Sequence, residues 1–184
     1  MKNEEFSYKP GEETINYQLV YSLTRQLVNL KKKTMRRITL IIIHCSATRC
    51  TARYPFSSCR RDHIRNNHWR DIGYHYYIER DGHICRGRAE SAVGAHCKNH
   101  NAHSIGVCYE GGLDASGRPA DTRTDAQRKS LLALLRELRI RYPRAIILGH
   151  RDLSPDLDGN GLITPNEYIK ACPCFDAGKE YADI

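Results

Sequence analysis

Apolar positions along the chain change period several times, and each change marks an element. Ile15, Leu19, Leu23, Leu27 and Leu30 recur near helical spacing, which predicts one amphipathic surface helix inside residues 1–34. The basic run KKKTMRR at 31–37 interrupts that stripe, and ITLIII at 38–43 replaces it with a continuous, β-branched apolar segment, the mark of a strand buried on both faces. A helix is expected from about Ser58 to Trp69. Residues 74–79 and 83–87 alternate about an RDG turn and predict a hairpin, and SIGVCYE at 104–110 predicts another strand. Thr124 and Gln127 have capping-box spacing, and Leu131, Leu134, Leu135, Leu138 and Tyr142 supply the apolar stripe of the best-marked helix, stopped by Pro143. AIILGH at 145–150 then returns as a buried strand ending in His150.

Strands and helices mix without a strict βαβ repeat. The expectation is an α/β domain, residues 35–184, with a central mixed β-sheet flanked by helices; residues 1–34 are a dispensable extension carrying one helix. The length of 184 residues suits one such domain with an appendage. No apolar run approaches the roughly 18 residues of a membrane helix, so no transmembrane segment is expected.

Charge narrows the partners. Lys and Arg outnumber Asp and Glu by 29 to 21, a net +8, which favours an anionic partner. The basic residues are scattered and few aromatics stand among them to stack on bases, so nucleic acid is disfavoured. Met1 opens onto KNEEFSYKPGEE, with no signal-peptide core, and the eight cysteines are therefore read as reduced thiols of a chain made in a cytosol. Most of Cys45, Cys50, Cys59, Cys85, Cys97 and Cys108 read as small hydrophobes; the CPC string at 172–174 stands apart.

Strand ends are where side chains leave a core for a cleft, and His44 and His150 each lie just past an apolar run. With a cysteine from ACPCFD they meet the requirement of a catalytic zinc site: three His, Cys or carboxylate ligands with one position left over. Spacing alone does not prove it, because the three are far apart in the chain.

IIIHCSAT at 41–48, DIGYHYYIERDG at 71–82, AVGAHCKNHNAHSIGVCYEGG at 92–112, TDAQRKSLLALL at 124–135, ILGHRDL at 147–153 and KACPCFD at 170–176 occur in this order. Together they resemble the zinc-dependent N-acetylmuramoyl-L-alanine amidases, the family of amidase-type bacteriophage lysozymes and peptidoglycan recognition proteins. The resemblance covers about residues 38–176 and implies that fold. It implies zinc ligation by His44, His150 and Cys172, catalytic roles for Tyr74 of the GYH string and Lys170, and substrate contact by His96. The implied reaction is hydrolysis of the amide between N-acetylmuramic acid and the L-alanine of the stem peptide. Peptidoglycan or muropeptides are the implied partners of a chain expected to be a monomer. Lacking a signal peptide, it would reach the wall by lysis or a secretion apparatus.

DLDGNGLITPNE at 156–167 fits a calcium-loop pattern at every defined position. Asp156, Asp158, Asn160 and Glu167 would give side-chain oxygens, Leu162 its carbonyl and Thr164 a direct or water-mediated contact, with a helix following from Pro165. Hard oxygen donors suit calcium and His/Cys donors suit zinc, so the two metal signals are compatible. Two alternatives remain at this point: a muropeptide-binding module of the same fold that does not cleave, and a calcium-responsive interaction protein whose histidines are incidental. Retention of Cys172 speaks against the first.

Overall fold

The computed structural model describes residues 36–184, and the helix expected within 1–34 lies outside them. Arg36–Ile184 forms one compact unit. Its five-stranded sheet has the order β4-β3-β5-β1-β7, built from β1 (Leu40–Cys45), β3 (Tyr76–Ile78), β4 (Ile84–Arg86), β5 (Ser104–Tyr109) and β7 (Ile146–Gly149). β1 lies parallel between β5 and β7, β3 is parallel to β5, and β4 alone runs antiparallel, to β3. The mixed sheet expected from the sequence is therefore present. A parallel pair of two-residue strands, β2 (Thr48–Arg49) and β6 (Gly112–Leu113), which no sequence pattern marked, adds a second small sheet.

The continuous apolar run in β1 has the expected cause. Ile41, Ile42 and Ile43 are all fully buried because the strand is covered on both faces. On one face Ile41 and Ile43 join Ile78, Ile105, Val107 and the stripe Leu131, Leu134, Leu135, Leu138 of α2 (Asp125–Arg141). Each of those leucines is worth roughly 2 kcal/mol on burial. The capping box is formed: the Thr124 hydroxyl accepts from Gln127 N–H, and the Gln127 side chain accepts from Thr124 N–H. On the opposite face Tyr77 and Cys108 pack with Cys59 of α1 (Phe56–Arg65), Ile72 and Tyr74. Since side chains alternate along a strand, His44 shares this second face with its register partner Cys108.

Several boundaries differ from expectation. β1 runs Leu40–Cys45 instead of 38–43, so His44 lies within the strand and not just past it. α1 begins two residues earlier than Ser58, at Phe56 behind Pro55, and ends at Arg65 rather than Trp69; His68 adopts φ 56°, which no helix tolerates. The hairpin is shorter than its alternating pattern, pairing only Tyr76–Ile78 with Ile84–Arg86 across Gly82 at φ 88°. Pro165 opens only the 3-10 turn Pro165–Glu167 instead of a helix. The calcium-type loop consequently lacks a flanking helix on either side, because a 3-10 turn (His150–Leu153) and an extended segment precede it. A last short helix, α3 (Ala177–Glu180), follows the CPC segment.

Candidate metal centre

Three segments converge at the carboxyl end of the parallel strands, where open α/β sheets place their ligands. His44 sits near the end of β1 with 1% exposure, and His150 follows Gly149 at the end of β7. Cys172 is brought to them by a strap of hydrogen bonds. Arg151 N–H donates to Cys172 O at 2.7 Å, the buried Tyr109 hydroxyl donates to Pro173 O at 2.7 Å, and Cys45 N–H points at Cys172 Sγ at 3.3 Å. Gly149 makes the approach possible, because a Cβ there would lie 2.4 Å from Pro173 Cδ.

His44, His150 and Cys172 thereby present one ligand atom each, all within 4.8 Å of one another. The His44 and His150 ring centres are 4.7 Å apart, and His44 Nδ1 is 3.8 Å from Cys172 Sγ. Burial lowers the His44 pKa well below the ordinary histidine range, and the neighbouring His96, His150 and Lys170 add to it. The ring is thus a neutral imidazole with a lone pair to give, as a ligand must be. Two imidazoles and a thiol form a borderline-soft donor set, the kind that holds a transition-row divalent ion and not calcium or magnesium.

Tyr74 stands over this centre, its ring 5.3 Å from that of His44. Burial first, then the thiols of Cys108, Cys172 and Cys59, raise its pKa well above the ordinary value, so the phenol stays protonated. Its position is set by a residue that the sequence did not single out for a role. His63 of α1 accepts Gly73 N–H on Nδ1 at 3.0 Å and packs between Trp69 and Tyr74 at ring distances of 4.9 and 5.5 Å. Nothing in the string SCRRDHIR marks that histidine without the fold.

A groove of about 700 Å³ opens beside the centre, lined among others by Trp69, His96, Lys98, Asn101, His150 and Lys170. Lys170 is exposed at its edge, so the fold brings this lysine, Tyr74 and the three ligand candidates into one place. His96 reaches the groove wall as well, but both its ring nitrogens face protein: Nδ1 lies 3.0 Å from His44 Nε2 and Nε2 lies 3.4 Å from Ser104 Oγ. Burial, followed by His75, His150 and Arg36, pushes its pKa down to about 3. The CPC string also holds a contact not anticipated from sequence, with Cys174 Sγ 3.9 Å from Cys45 Sγ beneath the strap.

The oxygen-rich loop brings Asp156, Asp158 and Glu167 within 4.8 Å of one another. Its carboxylates are held by the loop itself. Glu167 accepts N–H groups of Thr164 and Leu157 at 2.7 Å each, which holds its pKa down to about 2, and Asp156 accepts those of Gly161 at 2.8 Å and Gly159 at 2.7 Å. Asn160 Oδ1 is taken by Leu162 N–H, and Leu162 itself is exposed.

The chain and its fold resemble those of known proteins. The profile of the family described as N-acetylmuramoyl-L-alanine amidase matches residues 34–173. The endolysin of Klebsiella phage KP32 is 40% identical over 136 residues, covering 74% of this chain and 80% of its own. Among solved structures, the N-acetylmuramoyl-L-alanine amidase LysC from Clostridium intestinale superposes with a TM-score of 0.59 at 26% identity, over 80% of this chain and 83% of that one. A Drosophila PGRP-LB variant solved in complex with tracheal cytotoxin shares the fold, with a TM-score of 0.58 at 21% identity over 81% and 82% of the two chains.

Proposed function

The chain belongs to the N-acetylmuramoyl-L-alanine amidase family and is a peptidoglycan hydrolase, and from that premise we propose that it works with zinc held by His44, His150 and Cys172. The observation that carries the reading is the convergence of those three ligand atoms within 4.8 Å at one end of a groove. When bound, zinc supplies acidified water and polarises a carbonyl.

The chain's own side chains account for the rest of the proposed site. A muropeptide lies in the groove past Trp69 and Lys98, with its N-acetylmuramoyl–L-alanine amide at the His150 end. The Lys170 ammonium faces the carbonyl oxygen as negative charge develops there; one well-aimed donor of this kind is worth about 10²–10³ in rate. Tyr74, held protonated, donates a hydrogen bond near His44 and orients the reacting groups. Burial keeps the His44 imidazole neutral, so it does not compete for protons. Tracheal cytotoxin, the muropeptide held by the PGRP-LB relative, is the kind of ligand the groove is proposed to accept.

Hydrolysis of purified muropeptides by wild type, Lys170→Ala and Tyr74→Phe tests the assignment. Lys170→Ala is expected to lower kcat by about two orders of magnitude with little change in KM. Equal turnover by all three would remove both residues from the mechanism.

Calcium at Asp156, Asp158, Asn160, Leu162 and Glu167 is a separate proposal that rests on the convergence of Asp156, Asp158 and Glu167 alone, and calorimetric titration of the chelator-stripped protein checks it. Among the described residues no helix is long and apolar enough to cross a membrane. Action on the wall after lysis or through a secretion apparatus, as a monomer, completes the proposal; sedimentation analysis reads the last point.

A further inference from the structure

We propose that His96 and Ser104 form a hydrogen-bonded relay that fixes the tautomer of His44 and so aims its Nδ1 lone pair at the metal. The inference rests on the zinc reading above. It makes His96 a positioning residue rather than a substrate contact.

The direction of every proton in the relay follows from one end. Ser104 is fully buried, and its hydroxyl lies 2.7 Å from His100 O. A carbonyl can only accept, so the single hydroxyl proton is committed there and Ser104 Oγ is left as an acceptor. His96 Nε2, 3.4 Å away, must then carry the hydrogen that it donates to Ser104. A neutral imidazole with its proton on Nε2 has a bare Nδ1, and that atom faces His44 Nε2 at 3.0 Å. His44 therefore holds its proton on Nε2, leaving Nδ1 bare on the side of Cys172. Ligating histidines need such a partner on the other nitrogen, and loss of one typically costs 10–100-fold in metal affinity.

Packing holds the relay in register. A Cβ at Gly94 or at Gly106 would lie 2.5 Å from His96 Cδ2, so the two glycines leave the slot in which the ring sits. Asn101 Oδ1 fixes the backbone of the same turn, accepting His96 N–H at 2.8 Å and Cys97 N–H at 2.9 Å. The strings AVGAH and SIGV are thus read as the seat and the anchor of one imidazole.

Zinc affinity, measured by competition with a chromophoric chelator, separates this role from simple packing. His96→Leu is expected to bind zinc 10–100-fold more weakly, His96→Asn, whose Oδ1 can replace the lost acceptor, to stay within a few-fold of wild type, and Ser104→Ala to fall between. Nitrogen-15 correlation spectra of the metal-free wild type supply a second readout that needs neither metal nor a mutant that folds. Both His44 and His96 are expected as Nε2–H tautomers. An Nδ1–H tautomer at His96, or a folded His96→Leu with wild-type zinc affinity, overturns the relay. A wild type that binds no zinc sinks the metal reading instead, while the tautomer measurement still decides the relay.

Discussion

Acidification should strip a definite amount of stability from the fold at His75, a buried residue outside the ligand set. Its ring is 1% exposed. Nδ1 accepts Gly106 N–H at 3.0 Å, so the neutral ring carries its proton on Nε2 and donates it to Ala92 O at 3.1 Å. The Arg36 guanidinium stands 2.9 Å from Nε2 but directs hydrogens to the carbonyls of Glu90, Asn101 and Ser104. A second proton could enter only at Nδ1, breaking the bond to Gly106 and placing a cation near Arg36 and Arg88. Glu90 and the Ala92 carbonyl offset this only in part, and burial, the largest cause, leaves the pKa down at about 4.

The sign follows directly. The native pKa lies below the unfolded value of about 6.5, so as pH falls the unfolded chain takes up the proton first. Stability from this group is complete above about pH 6.5 and is lost between there and about 4. The total is about 3 kcal/mol, with a slope near 1.3 kcal/mol per pH unit inside the window. Urea unfolding of the metal-free protein and of His75→Gln at a series of pH values from 7.5 to 4 isolates it, since His44 and His96 are common to both. The advantage of wild type over the variant is expected to shrink by about 3 kcal/mol across the series. A difference that stays constant would refute the argument.

Other outcomes are equally specific. Arg123, whose guanidinium is 0% exposed, pairs with Asp121 and Glu180 and lies over the Phe175 ring; Arg123→Met should cost about 2 kcal/mol in urea unfolding, less than a fully buried pair because both carboxylates are part-exposed. Gly106→Ala should cost about 1–3 kcal/mol through overpacking against His96 and weaken zinc binding with it, as read by the chelator competition. Truncation to Met35 should retain muropeptide hydrolysis. Further removal of Arg36, whose guanidinium reaches four backbone carbonyls between Glu90 and Ser104, should lower the melting temperature.

The sequence was most readable where one physical requirement acts alone. Three consecutive buried isoleucines in β1, the leucine stripe and the capping box of α2 each report one local cause, and all appear where their pattern puts them. Boundaries set by tertiary contact were not legible. α1 stops where His68 must turn, and Pro165 opens a 3-10 turn because Glu167 folds back on Thr164 and Leu157 instead of starting a helix. At the site, the convergence of His44, His150 and Cys172 could be expected from residue type and resemblance because ligand chemistry restricts identity. Ser104 and His63 could not, because a serine at a strand start and a histidine on a helix are ordinary until the fold places them 3.4 Å from His96 and 3.0 Å from Gly73 N–H.

The central claim is that one zinc ion on His44, His150 and Cys172 powers hydrolysis of the muramoyl–alanine amide. Metal counting and muropeptide cleavage on the same preparations of wild type and Cys172→Ala test it most directly. The account predicts one zinc per wild-type chain with release of free stem peptide, and both lost in the variant. Cleavage by a zinc-free wild type, or an undiminished rate in Cys172→Ala, would contradict it.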